Sequence, residues 1–163
     1  MGDDDLRKKR ENEIGPFRLA SKQDAARRQI LMAALCAFDG EWECAITLAG
    51  AAEGQIEDTE QLSMFDRLKK RKPDSRSERE HIAFINRLRD WLKHSGDQKD
   101  KFIYEFEAVF MVARALMKYW NAYHDNLDEI KLFDEWRTNN GYSLKSELPK
   151  GALRKILEGD GAQ

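Results

Sequence analysis

Residues 21–56 read SKQDAARRQILMAALCAFDGEWECAITLAGAAEGQI, a stretch that predicts two helices joined by a short turn. Ser21 and Asp24 have the spacing of a helix N-terminal capping pair, and apolar residues then recur at helical spacing over about 22–38. Asp39 and Gly40 interrupt this pattern, and a second apolar stripe extends over about 41–57. Because the turn is so short, we expect the two helices to pack as an antiparallel hairpin.

The rest of the chain also has helical patterns. A short helix is predicted over about 60–70 and a long one over about 100–124, and others begin at the capping boxes Ser77-x-x-Glu80 and Asn126-x-x-Glu129, with a last short helix after Pro149. Charged residues make up 36% of the chain and only 3 residues are proline, which favours helices with solvated faces. The predicted fold is all-α, a four-helix antiparallel bundle with short accessory helices.

Length and composition predict a single domain. Residues 1–13 carry charge blocks with little to bury, so we expect a mobile tail there, a helical domain over 14–158 and a C-terminal tail over 159–163. The net charge of −2 argues against a dedicated duplex-DNA binder, which needs a broad basic face. Without a signal peptide, a membrane-spanning apolar run or zinc-type cysteine spacing, a soluble cytoplasmic protein that holds no metal or cofactor is expected.

An arginine and a histidine lie close together in the segment Arg89-Asp90-Trp91-Leu92-Lys93-His94, at the end of the helix that begins after Ser77. An arginine can grip phosphate with two hydrogen bonds, and a histidine can act as a general acid or base near neutral pH. RNA cleavage without a metal needs both kinds of group. On an ideal helix, however, side chains five residues apart point about 140° away from each other.

A purely structural interpretation of these residues is also open. Arg89 can extend its aliphatic stem from the edge of the core, and His94 can interact favourably with the C-terminal end of the helix dipole. Moreover, a single histidine cannot serve as acid and base at once. A catalytic site therefore requires two chains side by side.

A carboxylate, Glu53, interrupts the apolar stripe of the second helix, Trp42, Ile46, Ala49, Glu53 and Ile56. A buried charge costs several kcal/mol unless it is paired. Glu53 either lies at the edge of the stripe in water, or it pairs with Arg89 or hydrogen-bonds His94 across the bundle. In the second case it supports the Arg89–His94 site.

The segment 67–79 is rich in lysine and arginine. Its central residues, Lys69, Lys70, Arg71 and Lys72, are candidates for binding a nucleic-acid backbone. The alternative is an ordinary solvated loop.

The spacing Arg89-Asp90-x-x-x-His94 at the end of a core helix resembles the R-x(4–6)-H motif of the HEPN superfamily (higher eukaryotes and prokaryotes nucleotide-binding domains), in which a polar residue commonly follows the arginine. The stretches AARRQILMAAL, ITLAGAAEG and RLRDWLKH are also similar to a bacterial HEPN-like family of unassigned activity. The resemblance covers about 21–124. It implies an all-α homodimer whose motif residues meet in a shared cleft, with Arg89 on phosphate, His94 in acid–base chemistry and Asp90 orienting the pair.

The sequence and the resemblance lead us to expect one of two functions. The first is an HEPN-like homodimer that engages RNA or a nucleotide and acts as a metal-independent endoribonuclease, with an antitoxin-like protein as a candidate partner. The second is a non-catalytic helical module that dimerises or binds another protein. They differ in whether Arg89 and His94 of two chains face one open cleft.

Overall fold

The computed structural model describes residues 4–5, 8, 15–16, 18–61, 63–96 and 99–141. From residue 18 on, the described residues form six α-helices and one short 3-10 helix, and no described residue lies in a strand. The α-helices are α1 Lys22–Phe38, α2 Trp42–Gln55, α3 Met64–Lys70, α4 Glu78–Lys93, α5 Glu105–Tyr123 and α6 Lys131–Asn139, and the 3-10 helix Asp128–Ile130 leads directly into α6. The prediction of an all-α fold is confirmed.

Serine capping boxes set the start of three helices. Ser21, Ser63 and Ser77 each accept a hydrogen bond from the backbone N–H three residues later, and the carboxylate at that position accepts one from the serine backbone N–H. Such caps contribute about 1 kcal/mol each. The boxes at Ser21 and Ser77 were predicted. The one at Ser63 moves the start of α3 to Met64, later than the predicted 60.

The predicted cap at Asn126 is wrong. The 3-10 helix begins at Asp128 after Leu127, which makes no side-chain capping bond. The Glu129 carboxylate instead pairs with Arg27 of α1. A long-range ion pair thus replaces the local hydrogen bond that the sequence pattern indicated. The long helix α5 also begins at Glu105 instead of near 100.

The core lies where α1, α2 and α5 pack against one another. The chain reverses direction between α1 and α2 at Asp39 and Gly40, where the positive φ of Gly40 suits the tight turn. Alanines fill much of the interface, so the helix backbones can approach closely: Ala26, Ala33, Ala34, Ala37, Ala45, Ala49, Ala52, Ala108 and Ala115 are all buried. Helix α4 packs on α2, α3 contacts α4 and α5, and α6 lies against α1.

Most of the predicted tails fall outside the described residues. Only Asp4, Asp5 and Lys8 of the 1–13 segment are described, and they are exposed. The helix predicted after Pro149 and the tail at 159–163 also lie outside the described residues. In the described part of the chain, no helix is both long enough and apolar enough to span a bilayer.

The alanine-rich core should not accept larger side chains. Ala49 of α2 has no solvent exposure, so Ala49→Leu is expected to lower the free energy of unfolding by about 1–3 kcal/mol through overpacking. The control is Thr47→Leu on the exposed side of the same helix, with an expected change within about 0.5 kcal/mol. Urea denaturation followed by circular dichroism measures both, and equal effects would contradict the close packing at Ala49.

Candidate functional site

A buried ion pair joins α2 to α5. Arg114 of α5 is only 1% exposed, and its Nε and Nη2 donate to the two carboxylate oxygens of Glu53 at 3.1 and 2.7 Å. Its Nη1 donates to Asn86 of α4 at 3.3 Å, so one guanidinium connects three helices. Burial lowers the pKa of Arg114, and the adjacent Glu53 carboxylate opposes that shift. The arrangement places both charges in the interior with their hydrogen bonds satisfied.

Glu53 is therefore not the solvated edge residue that was one of its two interpretations. It is buried, and its predicted partner Arg89 lies at 3.8 Å, but Arg114 holds both of its oxygens. Sequence reasoning missed Arg114. A signal was present, because the run 108–117, AVFMVARALM, is apolar except for this arginine. A lone positive charge in one core helix and a lone negative charge in another predict a buried pair.

Arg89 lies at the edge of this pair, and its stem rests on a glycine of α2. A Cβ atom at Gly50 would come within 2.8 and 2.9 Å of Arg89 Cγ and Cδ, so only a glycine leaves room for the stem in this position. At its outer end the guanidinium donates to Asp90 Oδ1 from Nε and Nη2, at 3.1 and 3.0 Å. Gly50, Glu53 and Asp90 therefore hold the Arg89 side chain in place. It still reaches the surface, because 24% of it is exposed.

His94 occupies a different position from Arg89. It is the C-cap of α4, where its backbone N–H donates to the Asp90 carbonyl oxygen and its side chain is exposed. Arg89 turns toward α2, whereas His94 lies about 8 Å farther along the helix axis. The Asp90 carboxylate contacts Arg89, and the Asp90 carbonyl oxygen accepts the backbone hydrogen bond of His94. Within one chain, Arg89 and His94 do not meet at a common point.

The four predicted nucleic-acid-binding cations divide into two groups. Lys69 pairs with Asp66 at 3.0 Å, and Lys72 Nζ donates to the carbonyl oxygens of Pro73 and Arg76. Lys70 and Arg71 are exposed. Local contacts thus occupy half of the set.

The basic segment and His94 lie at opposite ends of α4. A buried histidine, His81, links α3 to the first turns of α4 through a hydrogen bond between its Nε2 and the Leu68 carbonyl oxygen, at 2.9 Å. Thirteen residues separate His81 from His94, which is about 20 Å along the helix. The structure therefore does not bring the predicted lysines together with His94.

In the part of the chain that the structure describes, no group of three or more His, Cys, Asp or Glu side chains could hold a metal ion. Both cysteines are free, with Cys36 half-buried and Cys44 exposed. Burial raises the pKa of the Cys36 thiol, which disfavours its reactive thiolate. Of the predicted catalytic residues, Arg89 and Asp90 are in direct side-chain contact.

The packing of the Arg89 stem on Gly50 can be tested by substituting two glycines of α2. Gly54→Ala meets open space and should stabilise the fold by about 0.5 kcal/mol through helix propensity. Gly50→Ala should instead destabilise it by about 1 kcal/mol, because the new methyl group displaces Arg89. In an Arg89→Ala background, Gly50→Ala should become stabilising. Equal effects of the two single changes in urea unfolding would refute the packing.

The Glu53–Arg114 pair should behave as a coupled unit. Glu53→Gln and Arg114→Met each leave a buried charge without its counterion, and each should cost about 3–5 kcal/mol of unfolding free energy. The double variant should cost clearly less than the sum, with a coupling energy of about 1–3 kcal/mol. A double-mutant cycle in denaturant measures this, and strict additivity would show that the two side chains do not interact.

No protein-family model matches the chain, and neither curated proteins nor solved structures match it significantly. The resemblance of residues 21–124 to HEPN proteins therefore stays a prediction.

Proposed function

We propose that the chain is an HEPN-like protein that binds RNA or nucleotide phosphate at Arg89 and, as a homodimer, cleaves RNA without a metal. The observation that supports this proposal is that the Arg89 guanidinium is held in a fixed position. It is positioned by Gly50 and Asp90 but still reaches solvent. A cation that is oriented in advance loses little freedom when it binds phosphate, which favours tight and specific contact.

Asp90 would act as an exchangeable partner of Arg89. Its carboxylate is partly exposed and occupies the outer edge of the guanidinium. An incoming phosphate would displace it and form two hydrogen bonds to Nε and Nη2. The displaced Asp90 carboxylate lies one turn from His94, where it can accept a hydrogen bond from the imidazole ring and orient it.

His94 would supply the proton transfers. In cleavage, the 2′-oxygen of the RNA attacks phosphorus, and the bond from phosphorus to the 5′-oxygen breaks. One histidine takes the proton of the 2′-hydroxyl, and a second histidine gives a proton to the leaving 5′-oxygen. Because one chain contributes only one motif histidine, two chains must face each other at the cleft.

An exposed apolar surface on α1 is compatible with association. Met32, Leu35 and Phe38 lie three residues apart on its outer side and are each more than half exposed. In the proposed architecture, α1, α2, α4 and α5 form an antiparallel four-helix bundle, and this α1 surface is available to a second copy.

The same surface supports the second candidate function. A non-catalytic helical module would use Met32, Leu35 and Phe38 to dimerise or to bind another protein, such as an antitoxin-like partner. In that case Arg89 is only a structural neighbour of the Glu53–Arg114 pair.

Two substitutions separate these functions in a cleavage assay with single-stranded RNA and EDTA. His94→Ala should lower the cleavage rate by about 100-fold or more, because it removes the acid–base group, and leave RNA binding unchanged. Arg89→Ala should weaken both RNA binding and RNA cleavage. His124→Asn is the control, since His124 is also an exposed histidine that ends a helix, and it should cleave like wild type. Equal cleavage by all four proteins would overturn the nuclease proposal.

Oligomeric state tests the requirement for two chains. Leu35→Asp places a charge on the exposed α1 surface, so sedimentation equilibrium should show dissociation into monomers, with loss of cleavage. A Leu35→Asp monomer that cleaves RNA normally would contradict the shared-cleft mechanism. Dissociation of a protein that neither binds nor cleaves RNA would favour the non-catalytic module.

A further inference from the structure

Two arginines stack against one phenylalanine ring beside the basic segment. The guanidinium carbons of Arg76 and Arg87 lie 4.1 and 4.7 Å from the centroid of the Phe84 ring. Arg76 Nη1 is buried and makes no hydrogen bond with the described residues. Two guanidinium groups thus share one ring outside the Arg89–Asp90–His94 site.

A segment with exposed aromatic residues is joined to Arg87 through Glu107. Arg87 donates to one oxygen of the Glu107 carboxylate at 2.7 Å, and the other oxygen accepts from the Tyr104 backbone N–H at 3.1 Å. Tyr104 is 42% exposed and stacks on Phe106, and Phe102, two residues before it, is 84% exposed. Glu107 thus connects Arg87 to the backbone of Tyr104, and Phe102 lies two residues earlier in the same exposed segment. We call Arg76, Phe84, Arg87, Phe102 and Tyr104 the aromatic–arginine strip.

The charge around the strip favours a polyanion. The segment 67–79 includes Arg76, which stacks on Phe84. It contains seven lysines and arginines against two carboxylates, although the whole chain carries a net charge of −2. Positive charge is therefore concentrated at this end of α4, where Lys70 and Arg71 are exposed. A chain of phosphates is the natural complement of such a cluster.

The exposed rings favour one class of polyanion. Unpaired bases stack on aromatic rings and on guanidinium planes, whereas the base faces of a duplex are hidden. An acidic peptide would neutralise the cations but would leave flat rings such as Phe102 without a matching surface. We propose that the aromatic–arginine strip binds single-stranded nucleic acid, with bases on Phe102 and Tyr104 and phosphates at the exposed Lys70 and Arg71 of the basic segment.

The strip also suggests where a bound strand continues. Arg87 and His94 are seven residues apart on α4, which places them on the same side of the helix about 10 Å apart. A strand bound at Arg87 would reach His94 by following α4. This direction rests on the proposed function, but binding at the strip does not require cleavage.

Phe102→Ala tests the strip with little risk to the fold, because this ring is mostly in water. Binding is measured by fluorescence anisotropy with a labelled single-stranded RNA of about 12 nucleotides, within the usual site size of such proteins. The substitution should weaken binding about tenfold or more through the loss of base stacking. Trp120→Ala removes an exposed ring on α5, outside the strip, and should leave the affinity unchanged.

A second set of binding measurements tests the role of the positive charge and the class of ligand. Lys70→Gln with Arg71→Gln should weaken binding and reduce its dependence on salt, since fewer counterions are released. The matching RNA duplex and a polyglutamate peptide should bind more weakly than the single strand. Three results would each contradict the proposed binding at the strip. They are a wild-type affinity in Phe102→Ala, no binding of the single strand by the wild type, and tighter binding of the peptide than of the single strand.

The two proposals fail in different ways. His94→Ala should bind the single-stranded RNA as tightly as wild type, because it leaves the strip intact. If binding depends on the strip but neither the wild type nor any variant cleaves RNA, the nuclease proposal is contradicted and binding at the strip is supported. Cleavage that is unchanged in Phe102→Ala, with an unchanged KM, would support the nuclease and overturn the strip.

Discussion

The buried pair of Glu53 and Arg114 is the constraint on which the centre of the structure depends. Removing two charges from water costs several kcal/mol for each ion, and only close contact with good geometry offsets that cost. Both guanidinium–carboxylate hydrogen bonds are present, and Asn86 takes a third donor of Arg114. Because Glu53 belongs to α2 and Arg114 to α5, a slip of either helix along the other would leave a buried charge unpaired, and a slip of α4 would remove the hydrogen bond from Arg114 to Asn86. The ion pair therefore favours one register of α2 against α5, and the Asn86 hydrogen bond ties α4 to them.

Arg89 depends on the same constraint. Its stem lies on Gly50, one helical turn before Glu53, and its Nη1 lies 3.8 Å from the carboxylate that Arg114 already holds. Glu53 thus contributes to the position of Arg89 without neutralising it alone, and Asp90 supplies the second negative charge at the surface. A cation held in this way can exchange an exposed carboxylate for a phosphate with little rearrangement. This is the physical basis for placing the proposed RNA or nucleotide site at Arg89.

Local patterns predicted the helices where local forces decide them. The Ser21 and Ser77 capping boxes and the apolar spacing that follows each one predicted the bounds of α1 and α4 closely. Predictions failed where distant residues compete, as at Glu129, which pairs with Arg27 of α1 and does not form a cap with Asn126. Glu53 shows the same limit. Its place in an apolar stripe indicated that it needed a partner, but the pattern favoured Arg89 and did not reveal Arg114.

The sequence by itself determined the all-α class, the starts of α1 and α4 after Ser21 and Ser77 and the presence of a charge in an apolar stripe, because these follow from residues a few positions apart. It also determined that Arg89 and His94 point in different directions, since helix geometry depends only on spacing. Only the tertiary structure decided that Arg114, 61 positions away, pairs with Glu53, that Gly50 receives the stem of Arg89, and that Arg76 and Arg87 meet on Phe84. These contacts depend on how helices pack, and packing is set by the whole core at once.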